Sequence, residues 1–288
     1  MKIAITGATG QLGQWVIKAL IKSHPASEII ALVRDINKAA IFENTGIEIR
    51  HFDYDLPETL VPALLDVDKL LLISANEIGR RTPQHKAVID AASKANVKHL
   101  VYTSLLNAEH SLLGLAQEHR ETEALIKESG LNYTFLRNNW YNENYLANVV
   151  HTAECGVLYG AATHGKISSA SRQDYAEAAA KVLSTSSHEN QIYELASSTS
   201  FSLNDLAGFI AKASGKPVQY QSLTAEQYTK ALTEAGLPIG LVEVIVDADI
   251  QTDQGAMWST SADLENLLGR PATSIQDQIQ HIFKNELN

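Results

Sequence analysis

The sequence predicts an α/β fold in which a doubly wound parallel sheet carries a second, smaller α/β lobe. Short, unbroken apolar runs recur through the first half of the 288-residue chain, and such runs are typical of strands that are buried on both faces. Segments with helical periodicity separate these runs. A glycine-rich turn follows the first of them. Strands that alternate with helices in this way form a parallel sheet.

The predicted elements follow one another in a regular order up to residue 136. Apolar runs or alternating patterns predict strands at residues 3–5, 28–33, 46–52, 69–74, 98–104 and 132–136. Helical periodicity predicts helices at residues 14–21, 56–65, 82–95 and 116–129. Pro83 is tolerated in the first turn of the third helix, and Gly130 ends the fourth.

The regular alternation of predicted strands and helices ends after residue 137. An alanine-rich helix is predicted at residues 173–183, and a last strand of the same sheet at 191–195. Further helices are predicted at 203–214, 225–235 and 275–283, with a short extended piece at 216–220. Residues 1–136 and 168–197 should therefore form the sheet domain. Residues 137–167 and 198–288 should form the smaller lobe that covers it.

The expected binding site is the crevice at one edge of the sheet. Right-handed crossovers place the C-terminal ends of parallel strands along one edge, where ligands bind. The segments that should meet there lie near residues 7–13, 34, 53, 74–76, 104–106 and 137–145.

Composition and charge argue against several classes of protein. The net charge of −10 is unfavourable for binding nucleic acids or anionic membranes. No stretch approaches the roughly 20 apolar residues that span a bilayer, and the first residues read as a strand rather than an export signal. We therefore expect a cytosolic protein. Cys155 is the single cysteine, which precludes an intrachain disulfide, and we expect no metal site.

Three glycines between the first strand and the first helix have the spacing G-x-x-G-x-x-G. The first allows a sharp turn, the second lets a pyrophosphate approach the backbone, and the third lets the helix pack on the strand. The N–H groups at the start of the helix then bind phosphate. Such spacing also suits a plain turn, but the flanking strand and helix favour dinucleotide binding. The predicted cofactor contacts are Gly7, Ala8, Thr9, Gly10, Gln11, Leu12 and Gly13.

The end of the second strand distinguishes NADPH from NADH, because it meets the adenosine ribose. An acidic residue there binds the 2′-hydroxyl of NADH, whereas a basic residue pairs with the 2′-phosphate of NADPH. The strand ends in Val33-Arg34-Asp35, so spacing alone does not separate the two charges. Arg34 comes first and has the planar fork that suits phosphate, and Lys38 follows nearby. We therefore favour NADPH, although an ordinary solvated pair is the alternative.

Two further strand ends carry candidate cofactor contacts. Asp53 follows the third strand and suits either the adenine amino group or the cap of the helix near residue 56. Ser74, Ala75 and Asn76 end the fourth strand, where small residues let the backbone pass close to a cofactor. A plain surface turn is the alternative for these three residues.

Several segments together resemble one family, the NmrA-like atypical short-chain dehydrogenases. They are the glycine motif and residues 32–34, 71–74, 102–104 and 136–141. Within the family, the chain is most similar to members that reduce quinones and next to members that reduce triphenylmethane dyes. The resemblance implies flavin-free hydride transfer from NADPH to a quinone, in a cleft between the lobes. It also implies cofactor contacts after the sixth strand, at Asn138, Asn139, Trp140, Tyr141, Asn142 and Glu143.

The resemblance is incomplete at the catalytic residues. Typical short-chain dehydrogenases carry Tyr-x-x-x-Lys at the start of the helix after the fifth strand, whereas this chain has Leu115 and His119 there. Another group must therefore protonate or hold the quinol oxygen, and His119 and Tyr141 are the candidates. An i, i+4 pair with Glu123 on the helix surface is the alternative for His119. Packing between the lobes is the alternative for Tyr141.

Three functions are compatible with these patterns. The first is an NADPH-dependent quinone reductase. The second is a regulator that senses NAD(P) without catalysis, which the loss of the tyrosine and lysine would suit. The third is a reductase of another acceptor, such as a cationic dye. In the two enzymatic cases the partner is a small molecule, and whether the chain forms a homodimer stays open.

Overall fold

A computed structural model describes residues 1–286, and the chain in it forms an α/β fold. The strands are β1 (Ile3–Ile5), β2 (Ile29–Val33), β3 (Glu48–His51), β4 (Lys69–Leu72), β5 (His99–Leu105), β6 (Asn132–Asn138), β7 (Val157–Gly160), β8 (Gln191–Leu195) and β9 (Gln219–Ser222). The α-helices are α1 (Gln11–Ile21), α2 (Leu60–Ala63), α3 (Arg81–Lys94), α4 (Ala116–Glu128), α5 (Glu143–Leu146), α6 (Val149–Cys155), α7 (Arg172–Ser184), α8 (Leu203–Ser214), α9 (Ala225–Glu234), α10 (Ile239–Thr252), α11 (Asp263–Leu268) and α12 (Ile275–Glu286). Short 3₁₀ helices occupy Ala26–Glu28, Ile36–Phe42 and Pro57–Thr59.

Seven strands form one parallel sheet in the order β3-β2-β1-β4-β5-β6-β8. Strand β1 pairs with β2 on one side and β4 on the other, so that Ile3 lies opposite both Ile29 and Lys69. The direction of winding therefore reverses between β1 and β4, and ligands of doubly wound sheets bind outside the strand ends at such a point. The predicted fold class is confirmed.

Apolar side chains cover both faces of this sheet, which explains the unbroken apolar runs of its strands. One face packs against α1, α7 and α11 in a cluster that includes Val16, Ile17 and Leu264. The other face packs against α2, α3 and α4 in a cluster that includes Val88 and Ile126. The sheet is therefore a rigid platform that fixes the positions of its strand ends.

A third apolar cluster lies outside the large sheet. It joins α6, α8, α10 and α12, with Phe201 and Ile279 among its buried members. Beside it, β7 and β9 pair in parallel, with Val157 opposite Gln219. The cluster takes up much of the chain assigned to the smaller lobe, but α11 packs on the large sheet instead. The two-lobe division at residues 136, 168 and 197 stays a prediction.

Several boundaries differ from the predicted ones for identifiable reasons. Strand β4 ends at Leu72 because the next two N–H groups turn to side chains: Ile73 donates to Thr6 Oγ1 and Ser74 to Thr103 Oγ1, each at 2.9 Å. Strand β6 continues two residues further than predicted, where it pairs with both β5 and β8. The elements β7 and α6 have no counterpart among the predicted elements. Among residues 1–286, no helix combines the length and apolarity needed to cross a bilayer.

Candidate active site

A cleft of about 530 Å³ opens at the C-terminal ends of β1, β2 and β4. Its lining comprises Gly7 and residues 9–13 of the glycine turn, residues 32–34 and 52–55, residues 73–77, Gln84 and Arg172. This is the edge at which the sequence places the binding crevice. The cleft therefore brings together most of the predicted contacts from the first four strands.

The glycine turn has the shape that a bound pyrophosphate requires. Gly7 lies in the left-handed region with φ of +57°, and the N–H of Gly10 donates to its carbonyl oxygen at 2.9 Å. A Cβ at Gly13 would lie 2.4 Å from the Gly7 oxygen and 2.8 Å from Cα of Ala8. No side chain of the described residues caps the start of α1. The first N–H groups of this helix are therefore left for a ligand in the cleft. Ala8 is buried and does not line the cleft.

Arg34 and Asp35, which spacing could not separate, have different surroundings. Arg34 lines the cleft and is largely exposed, and its Nη1 lies 3.4 Å from Oε1 of Glu77. The carboxylate of Asp35 accepts the N–H of Asn37 at 3.0 Å and caps the 3₁₀ helix that follows. Lys38 is not among the lining residues. The basic residue is thus the one that faces the cleft, as a 2′-phosphate requires.

Asp53 does not cap the helix near residue 56, because Leu56 and Thr59 are the N-cap residues there and neither cap has a side-chain hydrogen bond; its contact with the adenine amino group stays a prediction. Asp53 lines the cleft, and its Oδ1 accepts the N–H of Asp55 at 3.0 Å in the turn before the 3₁₀ helix. Its backbone is fixed by Thr59, whose Oγ1 accepts the Asp53 N–H at 3.1 Å. The carboxylate is therefore held at the wall of the cleft by the turn that it stabilises.

Buried side chains hold the segment Ser74–Asn76 at the cleft. The N–H of Ala75 donates to Nε2 of His85 at 3.0 Å, and Nε of Arg81 donates to the Ala75 oxygen at 2.7 Å. Burial, together with the nearby Arg81 charge, lowers the pKa of His85 to about 3, so the ring is neutral and its Nε2 accepts. These two residues were not predicted as site residues; Arg81 begins α3 and His85 lies about one turn further along it, and nothing in their spacing marks them.

The stretch Asn138–Glu143 lies next to the cleft, but its side chains do not line it. Nδ2 of Asn139 donates to the oxygens of Ser168 and Met257, at 3.0 and 2.8 Å. Nδ2 of Asn142 donates to Oε1 of Gln278 at 2.7 Å. These amides tie β6 to the C-terminal half of the chain.

The other members of this stretch also have protein partners. Trp140 is half-buried against the third apolar cluster, and the carboxylate of Glu143 accepts the Arg172 N–H at 3.0 and 3.1 Å. Asn138 is buried, and its Oδ1 has no protein partner among the described residues. Cofactor contacts by Asn138–Glu143 therefore stay a prediction.

Tyr141, one of the two candidate proton donors, is half-buried behind the cleft wall. The guanidinium of Arg172, which lines the cleft, lies 4.4 Å from the centre of its ring. The Tyr175 ring meets it edge-on at 5.5 Å. Burial raises the pKa of Tyr141, while Arg172 and a hydrogen bond from Asn138 act in the opposite direction. The phenol is therefore protonated near neutral pH and able to donate.

His119, the other candidate, is buried and does not line the cleft. Its Nδ1 lies 2.7 Å from the hydroxyl of Tyr102. Burial lowers the pKa of His119 well below its usual range, and the charge of Arg81 adds to the effect. The alternative of a surface pair with Glu123 is wrong, because Glu123 is buried and binds Arg137 at 2.7 and 2.9 Å.

Glu77, Gln84 and Arg172 are among the lining residues that the sequence did not predict. Glu77 directly follows the predicted segment after β4, so the strand-end rule could have included it. Gln84 lies on α3, and its Oε1 is buried at the cleft without a protein partner among the described residues. Arg172 begins α7, far along the chain from the strands that form the cleft. The part of the chain that the structure describes holds no group of acidic, histidine or cysteine side chains arranged as metal ligands.

The residues of the cleft fit a dinucleotide with a 2′-phosphate. The glycine cradle leaves room where a Cβ at Gly13 would collide with backbone, the start of α1 supplies N–H donors, and Arg34 supplies a guanidinium. Gln84 adds an unused acceptor. The N–H donors suit a pyrophosphate and the Arg34 guanidinium suits a 2′-phosphate, and the contact that Arg34 already makes, with Glu77, is exposed.

Comparisons with known proteins agree with this geometry. The model of the NmrA-like family matches residues 1–271. Quinone oxidoreductase 2 of Escherichia coli strain K12 is 49% identical over 281 residues, which cover 98% of each chain. A crystal structure of the E. coli NADPH-dependent quinone oxidoreductase QOR2 with NADPH superimposes with a TM-score of 0.95 over 98% of this chain and 99% of that one. Triphenylmethane reductase from Citrobacter sp., complexed with NADP(H), is 37% identical, with a TM-score of 0.94 over 97% and 99% of the chains.

Proposed function

The chain belongs to the NmrA-like family, and on that premise we propose that it is a flavin-free oxidoreductase that transfers hydride from NADPH to a quinone. The quinone would bind in the cleft beside the nicotinamide, under the smaller lobe. The observation that carries the proposal is the cleft itself: a glycine cradle at its floor and Arg34 at its rim, while Asp35 is held away as a cap.

The residues of the chain would divide the work of binding. The glycine turn and the start of α1 hold the pyrophosphate, and Arg34 pairs with the 2′-phosphate. Asp53, which lines the cleft, would accept from the adenine amino group. The segment Ser74–Asn76, fixed by His85 and Arg81, keeps the opposite wall of the cleft in place.

NADPH, when bound, supplies the hydride, so the protein needs only to place the acceptor, exclude water and stabilise the quinol oxygen. Tyr141 is the group that we assign to that oxygen. Because burial keeps its phenol protonated, the hydroxyl can donate a hydrogen bond or a proton as negative charge develops. The guanidinium of Arg172 lies over the Tyr141 ring. His119 is a second candidate, but its buried, neutral ring is poorly suited to general acid catalysis.

A second candidate acceptor follows from the similarity to triphenylmethane reductase. In this alternative, the cofactor and the hydride transfer are the same, but the acceptor is a cationic dye instead of a quinone. A regulator that binds the nucleotide without catalysis is the alternative of another class. The absence of Tyr-x-x-x-Lys supports this alternative, because Leu115 and His119 occupy the positions of its tyrosine and lysine.

One assay distinguishes these functions. The purified protein, without added flavin, is mixed with NADPH and 1,4-benzoquinone, and the loss of NADPH absorbance is followed; nucleotide binding is measured separately by tryptophan fluorescence. Oxidation that depends on both protein and quinone supports the proposal. Binding without oxidation by any quinone or dye favours the regulator. An absence of binding would refute both.

We also propose that the enzyme acts in the cytosol, where a single cysteine stays reduced. Association into a homodimer is a separate proposal, which light scattering of the purified protein at several concentrations would decide.

A further inference from the structure

A row of ion pairs crosses the mouth of the cleft. Nη1 of Arg34 lies 3.4 Å from Oε1 of Glu77, and Oε2 of Glu77 lies 2.8 Å from Nη1 of Arg80. Nη2 of Arg80 continues to Oδ1 of Asp55 at 2.6 Å. Three of these four residues line the cleft, and Arg80 lies just outside it. The row joins the end of β2 to the segment after β3 through the loop that follows β4.

Glu77 is the shared member of this row. Its carboxylate contacts Arg34 with one oxygen, while the other accepts from both Arg80 and Nε2 of Gln84, the latter at 3.2 Å. If Arg34 turns to another anion, Glu77 keeps two donors and is not left unpaired. The contact between Arg34 and Glu77 is also the longest of the set. The ion pair between Arg34 and Glu77 is therefore the one that breaks most easily when another anion binds Arg34.

The backbone beneath Glu77 is fixed on its far side. Oε1 of Glu118 accepts the N–H groups of Gly79 and Arg81, both at 3.1 Å. Gly79 lies in the left-handed region, with φ of +82°. The side chain of Glu77 can thus change partner by rotamer movement alone, because the loop that carries it is anchored to α4.

We propose that Glu77 is a specificity-determining residue that competes with the 2′-phosphate of NADPH for Arg34 and accepts the 2′-hydroxyl of NADH. The inference rests on the proposed nucleotide function. A phosphate dianion on Arg34 uses the same N–H donors as Glu77 and repels its carboxylate. A ribose hydroxyl, by contrast, is a hydrogen-bond donor for a carboxylate. Glu77 therefore moderates the preference for NADPH that Arg34 creates.

The test is a comparison of nucleotide affinities in Glu77→Gln. We expect the ratio of NADPH to NADH affinity to rise about fivefold, the size typical of one exposed ion pair. Adenosine 2′,5′-bisphosphate and 5′-AMP should show the same change, since they isolate the adenosine end from the nicotinamide. Glu58→Gln is the control: Glu58 is exposed, does not line the cleft and loses the same charge.

Arg80→Gln supplies an independent arm. Losing Arg80 leaves Glu77 with fewer partners, so it should hold Arg34 more firmly and lower the NADPH to NADH ratio. The same change in the Glu77→Gln background should have a smaller effect, because no carboxylate remains to be redirected. Equal effects of Arg80→Gln in both backgrounds would overturn the inference, as would a Glu77→Gln ratio equal to that of Glu58→Gln. If the wild-type protein binds neither dinucleotide, the proposed function fails instead.

Discussion

The guanidinium of Arg172 lies 4.4 Å from the centre of the Tyr141 ring and lines the cleft in front of it. The same arginine is held by Glu143, which accepts its backbone N–H at 3.0 and 3.1 Å. Arg172 therefore connects the start of α7, the stretch after β6 and the cleft. An acceptor bound next to Tyr141 would lie close to this cation, which favours acceptors that develop negative charge.

Tyr141→Phe should lower the turnover of quinone by about a hundredfold, the usual effect of losing one donor to a developing oxyanion. The ring and its contact with Arg172 remain, so NADPH affinity should stay within about twofold of the wild-type value. Steady-state rates and fluorescence titration give the two quantities. Tyr159→Phe, the same change at an exposed tyrosine, serves as control. If the two variants turn over equally fast, Tyr141 is not the donor.

For His119 the expected signature is a pH profile. Because burial lowers its pKa well below 6.5, the ring stays neutral through the physiological range and its titration contributes no step to turnover there. His119→Ala should lower turnover by less than Tyr141→Phe and leave the shape of the profile unchanged. A step near neutral pH that disappears in His119→Ala would make this histidine the acid.

Arg34→Ala should weaken NADPH binding by about 10- to 100-fold, the range for losing hydrogen bonds to a charged group. NADH, which has no 2′-phosphate, should lose much less. Lys38→Ala removes a nearby cation that does not line the cleft, so it controls for net charge. The two dissociation constants of each variant are the measurement, and an unchanged ratio in Arg34→Ala would refute the assignment.

Gly13→Ala should disrupt the cleft. Its Cβ would lie 2.4 Å from the Gly7 oxygen, and relieving such overlap moves backbone at a cost of about 1–3 kcal/mol. Gly208→Ala is the matched control, because a Cβ there meets nothing within 4 Å on an exposed turn of α8; it should stabilise by about 0.5–1 kcal/mol. Urea unfolding and NADPH titration test both changes. A Gly13→Ala protein with normal stability and affinity would show that the contact is not tight.

The large sheet could be predicted because its strands are buried on both faces and therefore read as apolar runs. Strand β7 could not, because three of its four residues are only partly covered or exposed. Helix α10 posed the opposite difficulty, since its apolar residues do not form one stripe and it buries a carboxylate, Asp249. Patterns of hydrophobicity predict elements only where burial is one-sided or complete.

The sequence predicted which strand ends form the site, but it did not predict the direction in which their side chains point. Topology indicated that Arg34 and Ser74 approach one edge, and both line the cleft. It could not tell that Asn139 and Asn142, at the same edge, are used to join distant segments. An amide after a strand suits a ligand and a backbone carbonyl equally well. Arg172 could not be predicted as a lining residue, because only the folded chain brings α7 close to β1.

The buried carboxylate of Asp249 should make stability depend on pH. Burial raises its pKa to about 6, against the hydrogen bond from the Ala161 N–H and with a small contribution from Asp253. The side chains of Tyr145, Tyr220 and Tyr228 lie close enough for its charge to raise their pKa values as well. Among residues 1–286, no cationic side chain acts on the pKa of Asp249 to offset its burial.

Because the folded protein binds this proton more tightly than the unfolded chain, the stability from Asp249 is full below pH 3.8 and is lost as the pH rises through about 6. Asp249→Asn keeps an acceptor for the Ala161 N–H and removes the charge. The variant should match the wild type near pH 4 and exceed it at pH 8 by at most about 3 kcal/mol, at roughly 1.4 kcal/mol per pKa unit.

Asp253→Asn, one turn further along the helix, should act with the opposite sign. Burial raises the pKa of Asp253, but hydrogen bonds from Thr163, His164 and Gly165 outweigh it and lower the pKa overall. Its contribution is therefore present above the unfolded pKa and lost as the pH falls, so this variant should be less stable than the wild type at pH 8. Urea unfolding of the three proteins from pH 4 to pH 8 is the measurement. Parallel curves for Asp249→Asn and the wild type would show that Asp249 is already charged throughout that range.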